Sequence, residues 1–83
     1  MRSTNIRKAI LEILARAQPY ALPEAQLKIE LDGSVRPPVQ QAEFDEALLQ
    51  LSNRAAIGTV PDPLDEELVK WTIREAGVAL LNH

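Results

Sequence analysis

Residues 44–58 read FDEALLQLSNRAAIG and residues 71–81 read WTIREAGVALL. In the first stretch Phe44, Ala47, Leu48, Leu51 and Ala55 fall on one stripe at 100° per residue, which predicts an amphipathic helix beginning at Val39, just after Pro37-Pro38. Past Arg54 the period changes. Ile57 to Val60 reads as a strand, Pro61-Asp62-Pro63-Leu64-Asp65-Glu66-Glu67 as a loop, and Leu68 to Ile73 as a second strand, in which Val69, Trp71 and Ile73 alternate with Lys70 and Thr72. Two strands about a Pro/Asp loop make a hairpin, and Arg74 to Leu81 is expected to form a short last helix.

Upstream, Ile6, Ile10, Ile13, Leu14 and Ala17 recur at helical spacing, with Ser3 or Thr4 expected to cap the helix and Pro19 to stop it. Tyr20-Ala21-Leu22 reads as an extended link. Pro23 suits the first turn of a second helix, Glu24 its positive dipole end, and Gly33 its termination. Residues 24–32 allow a second reading, because Leu27, Ile29 and Leu31 alternate as in a strand and Asp32-Gly33 fits a hairpin turn. Ala25, Gln26, Leu27, Lys28 and Glu30 are poor strand formers as a set, so the helix is preferred.

Helix, link, helix, turn, helix, hairpin is the order of a winged helix-turn-helix domain, and both quoted stretches resemble that superfamily. The first looks like its third helix running into its second strand. The second resembles the "strand, Thr-x-x-Gly, Leu" ending of winged-helix regulators, with Arg74 standing where Thr is usual. The resemblance spans Ile6 to Leu81 and implies an α+β, mostly α fold: a three-helix bundle with a C-terminal β-hairpin wing, expected as one domain over residues 1–83. It implies DNA binding with the third helix in the major groove, or, for a minority, protein binding and dimerisation.

The charges bear on that choice. The 83 residues carry a formal net charge of −3, with the two signs unevenly placed. Residues 1–36 hold six bases against four acids, and residues 37–83 three bases against eight acids. On the third helix the outward residues are expected to be Val39, Ala42, Glu43, Glu46, Leu49, Gln50 and Asn53, with Asp45 at the edge. Over residues 37–67 only Arg54 faces seven acids (Glu43, Asp45, Glu46, Asp62, Asp65, Glu66 and Glu67), a poor match to phosphates. Leu49 sits among these polar groups beside Ala42 and Val39. Leu11 lies off the main stripe of the first helix, and Leu64 rides the wing tip. Together they suggest contact with another copy or another protein.

Two functions are therefore expected. The first is a non-enzymatic module binding a protein partner or itself through Val39, Ala42, Glu43, Glu46, Leu49, Gln50, Asn53 and Leu64. The alternative is a DNA-binding transcription regulator using a basic face of Arg2, Arg7, Lys8 and Arg36. No cofactor, metal or small-molecule substrate is expected. The chain has no cysteine, its only histidine is the terminal His83, and three glycines make no phosphate-cradling loop. The carboxylates of the wing lack calcium-loop spacing. With neither an apolar signal run nor a membrane-length segment, a cytoplasmic protein is expected. Aromatic residues make up only 4%, so the core rests on aliphatic side chains, a small reserve that self-association would supplement.

Overall fold

A computed structural model describes residues 2–65 and 67–82. The readings made for Glu66 and His83 lie outside the described residues. The elements run α1 (Arg2–Ala17), β1 (Leu22–Pro23), α2 (Glu24–Ser34), α3 (Gln41–Asn53), β2 (Ile57–Pro61), β3 (Val69–Ile73) and α4 (Glu75–Leu81). The strands form one antiparallel sheet in the order β1-β3-β2.

α1 buries Ile6, Ile10, Leu11, Ile13 and Leu14, and ends at Ala17 ahead of Pro19 as its composition demands. It already runs through Ser3 and Thr4, so neither is the expected cap. Leu11 is not a surface residue: it is 4% exposed, because α4 packs on that side of α1 as the other helices pack on the main stripe.

The segment 24–34 is helical. Its weak patterning has a simple cause, since only Leu27 and Leu31 are buried while Ile29 is exposed. Gly33 does not end the helix. The helix continues to Ser34, whose hydroxyl donates to the Glu30 carbonyl, and the Val35 N–H closes it on the Leu31 carbonyl. Pro23 is the extended N-cap rather than a first-turn residue. It also belongs to β1, where Leu22 pairs with Trp71 and Pro23 with Lys70, so the sheet has a third strand beyond the expected hairpin. A proline is tolerable there because β1 is an edge.

α3 begins at Gln41, two residues later than expected. The Gln40 N–H donates to Glu43 Oε1 at 3.1 Å, one arm of a capping box. Val39, one residue before the cap, is 3% exposed in the same core cluster as Phe44, the arrangement of a hydrophobic staple. At the other end Ala55 is exposed and adopts φ 57°, and Ala56 is the buried residue. The Ala55 N–H reaches the Ser52 carbonyl at 3.0 Å and the Ala56 N–H the Leu51 carbonyl at 2.9 Å, the paired bonds of a Schellman ending. The turn throws the chain directly into β2.

β2 and β3 pair from Ile57↔Ile73 to Pro61↔Val69. Trp71 is half-buried, and its indole N–H donates to Glu24 at 3.1 Å, tying the hairpin base to the start of α2. All three larger helices and the hairpin base meet in one aliphatic core around Phe44, with Ile73 and Ile57 supplied by the sheet.

Candidate interface on the third helix and wing

α3 leaves Ala42, Asp45, Glu46, Leu49 and Asn53 exposed, with Leu49 at 60%. Val39, expected beside them, belongs to the core and is removed from the candidate surface. The expectation failed because it extended the helical period through a residue that precedes the helix.

Glu43 faces inward along α1. Arg2 holds its carboxylate in a two-pronged pair, Nε to Oε2 at 2.8 Å and Nη2 to Oε1 at 3.2 Å. The same guanidinium donates to the carbonyls of Pro37 at 2.9 Å and Pro38 at 3.2 Å. Arg2 thus clamps the start of α1 to the turn that launches α3. The Arg2 bond, and then the Gln40 N–H, hold the Glu43 carboxyl below its usual range, and the Arg2 pKa is raised in return. Arg2 and Glu43, expected on two rival interfaces, are partners of one another.

Gln50 is also engaged. Its side-chain oxygen accepts from Arg7, and its amide donates to Glu46 at 3.3 Å. Arg7 and Gln50 face a groove of about 140 Å³ between α1 and α3. Lys8 and Arg36 line a different cleft, of about 360 Å³, between α1 and the segment after α2. The four basic residues expected to form one face are therefore split: Lys8 shares one cleft with Arg36 and another with Arg7, while Arg2 is held by Glu43.

In the wing, Asp62 is half-buried, accepts the Leu64 N–H at 2.8 Å and pairs with Lys70 at 3.1 Å. The Leu64 bond first, and Lys70 second, lower its pKa. Leu64 stands 96% exposed at the tip, with Asp65 and Glu67 exposed beside it. Two of the acids counted against DNA, Glu43 and Asp62, thus carry a base of their own. Among the described residues Asp45, Glu46, Asp65 and Glu67 keep the surface negative. The compensating contacts join residues 41 and 8 positions apart in sequence, and no local pattern announces the longer one. Among the described residues no group of three or more metal-ligating side chains is assembled, and no helix is long and apolar enough to cross a membrane.

Comparison of the coordinates with solved structures returns the PcaV transcriptional regulator of Streptomyces coelicolor, with TM-score 0.73, 18% identity and 92% of this chain covered. A mutant ZitR of Lactococcus lactis in apo form superposes with TM-score 0.75 at 24% identity over 96% of this chain. The fold is a winged helix. The adhesin competence repressor AdcR of Streptococcus pyogenes matches with TM-score 0.74 at 18% identity over 94%, and a MarR family transcription regulator is similar too. The winged-helix chain spans about half the length of these structures, covering 48%, 54% and 50% of PcaV, ZitR and AdcR. No protein-family model matches it, and no curated protein matches its sequence.

Proposed function

We propose that this winged helix, a single non-enzymatic domain over residues 1–83, is the DNA-binding module of a transcription regulator. The observation that carries the reading is the match of 92–94% of the chain to a transcriptional regulator and a repressor, in a fold whose third helix leaves its outer face exposed. Neutralisation of Glu43 by Arg2 and of Asp62 by Lys70 supports it by removing part of the charge conflict. Asn53, exposed on α3, has the donor and acceptor needed to read a base edge. Arg36, Lys8 and Arg54 would meet phosphates. The reading carries with it the cytoplasmic location expected from the sequence.

Anisotropy of a labelled nonspecific duplex at low salt tests this. Binding is expected to weaken on adding salt and to fall roughly tenfold in the Lys8→Glu plus Arg36→Glu variant, each lost phosphate contact removing a released counterion. A wild type that leaves the duplex unbound at low salt sinks the proposal.

One observation favours a second reading, a protein-interaction module: Leu49 is 60% exposed in the middle of the outward row, next to the small Ala42. A leucine there fits a partner helix. Under this reading Leu49→Asp abolishes partner capture while leaving DNA binding absent in both proteins.

A further inference from the structure

The wing carries a bare leucine on a stiffened acidic loop. Leu64 is 96% exposed. Asp62 accepts the Leu64 N–H at 2.8 Å, Asp65 accepts the Glu67 N–H at 3.0 Å, and the Leu68 N–H reaches the Asp65 carbonyl at 3.1 Å. Pro61 and Pro63 remove further backbone freedom. Little conformational entropy is then left to lose when the tip is covered, which favours its use as a contact.

A cleft of about 340 Å³ lies between α1, the end of α3 and α4, with Arg54, three residues before the hairpin, on its rim. Leu11 and Leu51 close its bottom, and Leu81 with the 42% exposed Leu80 form its wall. Its rim is cationic. Arg7 spends its bonds on the neutral oxygens of Gln50 and Thr4, Lys8 has Glu12 only at 4.0 Å, and Arg54 has no carboxylate partner among the described residues. No carboxylate is among the residues that line it.

We infer that the wing tip of one copy of the chain occupies this cleft in a second copy, and reciprocally. Leu64 would enter against Leu80 and Leu81 while Asp65 and Glu67 meet the cationic rim. The chain geometry favours exchange in both directions. Arg54 precedes β2 by three residues and Leu64 follows it by three, so the tip and this rim residue of the cleft lie at opposite ends of one five-residue strand, about 17 Å long at the usual rise. Two hairpins laid side by side in opposite directions bring each tip to the other's base. β2 is the outer strand in the order β1-β3-β2, so the described chain offers that edge for the approach. Such a contact is two-fold and closes on itself. It is small, and the dimer it makes is weak and salt-sensitive.

The inference does not depend on DNA binding, and sedimentation of the pure chain over a concentration series tests it. Wild type is expected to dimerise, with the dimer weakened at high salt and weakened at least about tenfold by Leu64→Asp, the loss of one buried anchor. Leu49→Asp, which tests the third helix, is expected to leave the dimer unchanged. Lys8→Glu plus Arg54→Glu, and separately Asp65→Lys plus Glu67→Lys, are each expected to be monomeric. Mixed together they should form a heterodimer, since the acidic cleft of one meets the basic tip of the other. All substituted side chains are exposed, and circular dichroism verifies that the variants fold. A wild type monomeric throughout, a dimer indifferent to Leu64→Asp, a dimer lost on Leu49→Asp, or failure of the mixed pair to associate would each overturn the inference. So would octanoate filling the cleft of a chain that stays monomeric, which would assign it to a small anionic amphiphile.

Discussion

Two single positions show opposite consequences of having or lacking a Cβ. Ala55 takes the left-handed conformation that ends α3, at φ 57°, where a side chain costs about 1 kcal/mol. Ala55→Gly should therefore stabilise the fold by about 0.5–1 kcal/mol in urea titration, part of the gain being returned by the freer unfolded chain. Gly77 sits in α4 where helix propensity alone favours alanine. Its added Cβ would run into the Ala56 carbonyl oxygen, lie 2.7 Å from Ile73 Cγ1 and press on Leu11 Cδ2 at 3.1 Å. The first obstacle is backbone and cannot swing aside. Overpacking outweighs propensity, and Gly77→Ala should cost about 1–3 kcal/mol by the same measurement. Asp32 makes a third residue-scale case. Lys28 first, and then the Val39 N–H, lower its pKa by bonding the charged form. A carboxylate with a depressed folded pKa stabilises the fold above its unfolded pKa, near about 4, and that contribution disappears as pH falls through the folded value. The thermal midpoint should drop on acidification through that window. In Asp32→Asn, which keeps an acceptor for Val39 but no charge, the midpoint should start lower at neutral pH and drop less.

At the scale of elements, the contrast between Val39 and Leu49 decides what belongs to the interior of this domain and what to its surface. Val39 is 3% exposed and packs in the cluster that holds Phe44, so Val39→Ala should cost about 1–3 kcal/mol by loss of buried methyls. Leu49→Asp, at a side chain 60% exposed, should leave the midpoint nearly unchanged; a large loss there would show that α3 is buried by something in the free protein. The same residues show why the sequence was legible in parts. α1, α3 and the strands of the hairpin each obey one period over their length, and their order, with the stretches Phe44–Gly58 and Trp71–Leu81, carries the resemblance to a winged helix. α2 was ambiguous because a helix burying only Leu27 and Leu31 leaves Ile29 to mimic a strand. β1 has two residues, one a proline, and exists only because Trp71 and Lys70 pair with it. Ala55 reads as inward by a helical period that stops two residues earlier, at Asn53, and Leu11 as outward because nothing local reveals the packing of α4. Of the candidate surface, Ala42, Glu46, Leu49, Asn53 and Leu64 were readable as exposed positions. The engagement of Glu43 by Arg2 was not, since it is a contact between distant segments.

For the whole molecule, the proposed function requires an acidic chain of winged-helix fold to meet DNA. The sequence divides into a basic first part and an acidic second part, but folding interleaves them: Arg2 lies on Glu43 and Arg7 on Gln50, while within the second part Lys70 lies on Asp62. What remains on α3 is Asp45, accepting from Gln41 at 2.8 Å, and Glu46, accepting from Gln50. Near a phosphate backbone both are repulsive, and a face with so few bases releases few counterions. The wild-type salt slope should accordingly be shallow, its magnitude about 2–3 in log K against log salt, well short of a dimeric repressor's. Asp45→Lys plus Glu46→Lys removes two repulsions and adds two phosphate partners. If α3 is the surface that enters the groove, low-salt affinity should rise by more than about tenfold and the slope should steepen by about 1.8, close to 0.9 for each added contact. Anisotropy across a salt series reads both numbers together. A gain in affinity with no change in slope would mean relief of a long-range field rather than contact. If neither number moves, the duplex lies away from α3, and of the proposed contacts only those of Lys8 and Arg36 remain.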